Sequence, residues 1–124
     1  MTERDVEAEL PLTPLSFEFL LALADRERHG YGVIKEIERQ TEGSARPATG
    51  ALYLAARRLQ ESGLITESET RPAPDDDGRR KYYELTDFGR RVAAAETGRM
   101  ARLVRIAVQK RLVDGLLSVA EPGD

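Results

Sequence analysis

The sequence predicts a mainly α-helical domain that carries one small β-hairpin and continues into a long C-terminal helix. Three observations predict it: apolar residues at helical spacing in three successive segments before Gly63, strand-like segments on either side of a Pro- and Asp-rich stretch, and helical spacing again over the last third. Such changes of period mark element boundaries, because side chains recur on one face about every 3.6 residues in a helix and every second residue in a strand. A chain of 124 residues without cysteine is long enough to bury one core and holds neither a disulfide nor a thiolate metal site.

Residues 1–11 lack apolar periodicity and end at Pro11, which reads as a flexible N-terminal arm. The predicted domain spans residues 12–86. Thr13 caps a first helix with Pro14 at its first position and Leu15, Phe17, Leu20, Leu21, Leu23 and Ala24 as its apolar residues; Arg26 to Gly30 ends it. A second helix, Tyr31 to Thr41, sets Val33, Ile34 and Ile37 against Lys35, Glu36, Glu38 and Arg39, and Gly43 closes it. After the link Ser44–Pro47, a third helix runs from Ala48 or Thr49 to Ser62 and stops at Gly63. Residues 64–71 and 80–85 read as strands, with Asp77-Gly78 in the turn region between them. Thr86-Asp87 then caps a helix predicted to reach about Leu117, over residues 87–118, before a tail at 119–124. Three helices, a hairpin and a long helix follow the plan of a winged helix-turn-helix.

The net charge of −3 hides a segregation. Residues 1–42 carry 5 basic and 10 acidic side chains, residues 43–113 carry 14 and 9, and residues 114–124 carry 0 and 3. Sixteen of the nineteen basic residues are arginine, whose fork fits phosphates and guanine edges. On the third helix Leu52, Ala55, Ala56 and Leu59 form the core stripe, and Gly50, Tyr53, Leu54, Arg57 and Glu61 lie opposite it, with Thr49 and Gln60 at the margin. That face suits close approach to a DNA groove. Arg46, Thr49, Gly50, Tyr53, Arg57, Arg79, Arg80 and Lys81 are the candidate DNA-binding residues. Tyr53 has an alternative role as a half-buried aromatic packed on the wing, and Arg57 as a partner of Glu61. The acidic run Asp75 to Asp77 at the hairpin tip would repel phosphates; as a turn it needs no metal, and it lacks the later glutamate of a calcium loop.

The segments His29-Gly-Tyr-Gly32, Gly50 to Ile65 and Arg79 to Arg90, in that order, resemble the PadR family of transcriptional regulators. On that pattern fall Gly50, Leu52, Tyr53, Leu59, Gly63, Leu64, Tyr82, Tyr83, Leu85, Thr86 and Gly89. The resemblance implies a winged helix-turn-helix with a C-terminal dimerisation helix, repression of nearby genes from double-stranded DNA with a palindromic operator, and in many members release by a small-molecule effector. Some members bind planar drugs above a tryptophan; this chain has no tryptophan, so no effector site carries over. The single C-terminal helix places the chain with the shorter members.

Chemistry of other kinds has little support. His29 is the only histidine and reads as a cation or cap at a helix C-terminus, and no phosphate loop, nucleophile elbow or convergent carboxylate pair is present, so neither an enzyme nor a cofactor nor a metal is expected. The acidic start Met1 to Leu10 is unlike a secretory leader and no apolar run approaches ~20 residues, as expected of a cytoplasmic protein without membrane contact. On the last helix Phe88, Val92, Ala95, Leu103, Ile106, Val113 and Leu117 form one apolar stripe, and Met100, Val104, Ala107, Val108 and Leu112 widen it. Leu103, Val104, Ile106, Ala107, Val113 and Leu117 are therefore the candidate homodimer contacts, unless the helix folds back onto its own first helix. The acidic total charge leaves a second reading open, a winged helix that binds protein instead of DNA.

Overall fold

The computed structural model describes residues 5–68 and 81–114. Its elements are α1 (Pro14–Ala22), β1 (Arg28–His29), α2 (Gly30–Gln40), α3 (Thr49–Glu61), β2 (Ile65–Glu67), β3 (Tyr82–Leu85) and α4 (Asp87–Gln109), preceded by a 3-10 turn at Val6–Glu9. This is a winged helix-turn-helix followed by a C-terminal helix. The three helices enclose a core of Phe19, Leu20, Val33, Ile37, Leu52, Ala56 and Leu59, which the sheet and α4 close with Leu64, Ile65, Tyr83, Phe88 and Val92.

Each boundary has a local cause. The Thr13 hydroxyl accepts the Ser16 N–H at 3.1 Å, and Pro14 occupies the first position of α1. The helix ends four residues before Arg26, because the Arg28 guanidinium takes the Ala22 carbonyl at 2.8 Å and also pairs with Asp25. Gly43 closes α2 as expected: it is left-handed at φ 84°, its N–H bonds the Glu38 carbonyl at 2.8 Å, and Glu42 before it is left-handed too, φ 52°. Gly63, φ 78°, ends α3 as expected: its N–H bonds the Gln60 carbonyl and the Leu64 N–H that of Leu59.

The sheet has three strands in the order β1-β3-β2, all antiparallel. Ile65 pairs with Leu85 and Glu67 with Tyr83, while Arg28 pairs with Tyr83 and His29 with Tyr82. The hairpin was legible from the sequence; β1 was not, because two residues carry no period. His29 also departs from expectation. It precedes a helix instead of ending one, and its Nδ1 accepts the Gly32 N–H at 3.0 Å as the N-cap of α2. Its ring meets Tyr82 edge-on at 5.2 Å, which ties the start of α2 to the wing.

Two further differences concern the ends of the chain. The segment read as a flexible arm forms the 3-10 turn at Val6–Glu9, which packs along α4 with Val6, Leu10 and Leu12 against the core. Glu96 of α4, 1% exposed, accepts the Leu12 N–H at 3.0 Å and is held by Arg99 at 2.6 Å. At its other end α4 stops at Gln109, short of Leu117, since Arg111 turns left-handed at φ 64° and the Leu112 N–H closes back onto the Ala107 carbonyl.

Candidate nucleic-acid interface

α3 is positioned by its own amphipathicity. Leu52, Ala56 and Leu59 point into the core, leaving Thr49, Gly50, Ala51, Tyr53, Leu54, Arg57, Arg58 and Glu61 exposed. Its N-cap is Ala48, which has no side chain able to accept a hydrogen bond, so the first-turn amides lack a side-chain partner at the end where a helix attracts anions. At Gly50 no atom lies within 4 Å of where a Cβ would stand. Nothing inside the fold requires glycine at that position, and its effect is to leave the surface low where a partner's backbone could approach.

Tyr53 leans back over α2. A Cβ on Gly30 would lie 2.3 Å from its hydroxyl oxygen, so the glycine before Tyr31 makes room for the phenol ring. Tyr53 remains 46% exposed and packs on the first turn of α2. Arg57 forms no ion pair among the described residues, and in particular none with Glu61. Arg58, which the sequence reading passed over, is exposed beside it; the Arg57-Arg58 doublet was the available signal. Arg46 is engaged with α2: the Tyr31 hydroxyl and then the Glu38 carboxylate, at 2.5 Å, hold its guanidinium more firmly protonated. Lys81, at the base of the wing, is exposed and 3.8 Å from Glu67. Arg79 and Arg80 lie outside the described residues, as do Asp75 to Asp77.

The wing is set against the helices by one threonine and one glycine. Thr86 caps α4 by accepting the Gly89 N–H at 2.9 Å and donates its hydroxyl to the Gly63 carbonyl at 2.6 Å, so the end of α3 and the start of α4 share one side chain. Gly89 lets them meet: a Cβ there would stand 1.9 Å from the Leu64 carbonyl oxygen.

Among the described residues no group of three or more potential metal ligands comes together, and no helix is long and apolar enough to cross a membrane. On α4, Leu103 and Val104 are exposed and Ile106 and Ala107 half-buried; Val113, past the end of α4, is half-buried. Leu117 lies outside the described residues.

The fold and this exposed α3 face define a winged helix-turn-helix of the transcription-regulator class. Residues 19–95 match the model of the transcriptional regulator PadR-like family, and the chain belongs to that family. It is 37% identical over 67 residues to the transcriptional regulator YqjI of Escherichia coli, a match that covers 54% of this chain and 30% of that protein. Among solved structures it is similar to a PadR family transcription regulator from Clostridium difficile, with 22% identity and a TM-score of 0.66 over 78% of this chain and 97% of that one. It is similar also to Bacillus subtilis PadR in complex with operator DNA, with 22% identity and a TM-score of 0.56 over 68% of this chain and 47% of that one.

Proposed function

We propose that this chain is a homodimeric, sequence-specific DNA-binding repressor that places α3 in the major groove of a palindromic operator, with the wing beside it. One observation carries the reading. The exposed face of α3 combines a first turn with no side-chain cap, a glycine that the fold itself does not need, and two exposed arginines. The operator complex of Bacillus subtilis PadR, a protein of the same fold, supports it. In this reading Thr49, Gly50, Tyr53 and Arg57 face the groove, Arg46 and Lys81 flank it, and Arg79 and Arg80 contact phosphates. Residues 12–86 form the DNA-binding unit and α4 the dimer contact. Release of the operator by a small molecule rests on the family resemblance alone.

A mobility-shift assay with fragments from around the chain's own gene tests the reading. A discrete fragment should shift, and the shift should weaken steeply with salt. If no fragment shifts at micromolar protein while the chain captures a protein partner, the fold serves protein interaction and the DNA reading is wrong.

A further inference from the structure

The outermost stripe of α3 reads Gly50, Leu54, Arg57 and Glu61, positions i, i+4, i+7 and i+11 of one helix face, opposite the buried Leu52, Ala56 and Leu59. Its second member contributes nothing to the core. Leu54 is 47% exposed and belongs neither to the buried core nor to the half-buried apolar residues packed against it. A single exposed leucine is ordinary on a protein surface, but the surroundings of this one are not. One turn before it, Gly50 carries no side chain, and nothing lies within 4 Å of where a Cβ would stand. One turn after it stand Arg57 and Arg58, both exposed and in no ion pair among the described residues. Tyr53 leans aside over Gly30, so Leu54 is the large apolar side chain in the middle of the face.

Glu61 closes the stripe with a negative charge, which phosphates repel, whereas the other end of the helix offers the first-turn amides after Ala48. A duplex on this face therefore meets the first two turns of α3, and Leu54 lies within them. Which base suits a leucine there follows from the chemistry of the major groove. Arginine finds its partner in guanine, asparagine and glutamine theirs in adenine, and acids theirs in cytosine. The apolar group that a base presents there is the C5-methyl of thymine. Leucine has neither donor nor acceptor, so a polar base edge pressed against it loses water without replacement, whereas a thymine methyl gains burial.

From this placement we infer that Leu54 is a specificity-determining residue: its side chain lies against the C5-methyl group of a thymine in the operator. The inference rests on the DNA reading proposed above. It adds an apolar contact to a face otherwise read through its arginines, and it names a base that the operator must contain.

Uracil scanning tests it, with the full-length chain and the fragment that the mobility shift selects. Each thymine in turn is replaced by deoxyuridine, which keeps the pairing groups and the O4 acceptor and removes only the methyl. With the unaltered chain one thymine per half-site should be sensitive, its replacement weakening binding about three- to fivefold, the scale of one methyl group withdrawn from an apolar contact. Leu54→Ala should bind the all-thymine operator more weakly by at least as much, and should no longer respond to uracil at that position, because the contact is already lost. Leu54 is exposed and alanine is the strongest helix former, so the variant keeps the fold. Should circular dichroism show otherwise, Leu54→Gln takes its place with the same expectation. A scan without effect at any thymine overturns the inference and leaves the DNA reading standing. A thymine that stays equally sensitive in the variant overturns it too, since another side chain then reads the methyl. If no fragment shifts at all, the DNA reading fails and the inference with it.

Discussion

Glycines on and beside the α3 face serve different ends. Gly30 makes room for the Tyr53 ring against α2, whereas Gly50 faces open space, where the proposed function places DNA. Gly50→Ala should therefore leave the fold as stable or more so, by up to about 1 kcal/mol from helix propensity, while weakening operator binding. Thermal unfolding and a mobility shift on the same sample check the two halves, and unchanged binding would remove Gly50 from the interface. Arg57→Ala should cost about 1–3 kcal/mol of specific binding and relax preference at one base position per half-site. Binding titrations on operator and scrambled DNA read this, and an equal loss on both would mark Arg57 as a phosphate contact.

At the scale of elements, two contacts decide how α4 sits. Gly89 brings its first turn onto the Leu64 carbonyl, and Gly89→Ala should lower stability by about 2 kcal/mol or more, because the obstructing atom is backbone and cannot swing aside. Denaturant unfolding should show this, and a variant as stable as the parent would mean that α4 shifts freely against the wing. Glu96 ties the other side of the helix to Leu12. Arg99 above all, against the opposing effect of burial and helped by the Leu12 N–H, holds its carboxyl below the usual glutamate range. A carboxyl whose pKa is depressed on folding contributes fully above its unfolded pKa and loses that contribution as pH falls through the folded one. Glu96→Gln should accordingly be less stable than the parent near neutrality and converge with it as pH falls through the lowered pKa of the Glu96 carboxyl. A constant gap across the range would show that the carboxylate's charge is not what stabilises this contact.

For the whole molecule, the proximal half of α4 is part of the domain and the distal half belongs to the proposed assembly. The two alternatives left open by the sequence divide along the helix. Phe88 and Val92 are buried against the chain's own core, as folding back onto α1 requires, whereas Leu103, Val104 and Leu112 remain uncovered. Light scattering should give twice the 13.8 kDa chain mass at micromolar concentration. Ending the chain before Gly98 should yield a monomer that has lost most operator affinity, because two half-sites are no longer held together. A truncated chain that still binds the palindrome like the parent would remove α4 from the mechanism.

The helices, the hairpin and the outward face of α3 could be read from the sequence because each is written locally. Thr13-Pro14 starts a helix wherever it sits, Gly63 supplies a left-handed stop, and the spacing of Leu52, Ala56 and Leu59 fixes which side of α3 faces out. Contacts between distant residues left no such trace. β1 exists only because β3 lies beside it, His29 caps α2 because a helix begins there, and Glu96 is buried because residues 84 positions earlier return to meet it. Periodicity reports the environment of a residue within its own element, and a charged side chain at a core position reads as solvent-facing until the partner that satisfies it is known. For the same reason the arm looked free in the sequence: its few apolar residues have no period, and only the packed α4 surface gives Val6, Leu10 and Leu12 something to cover.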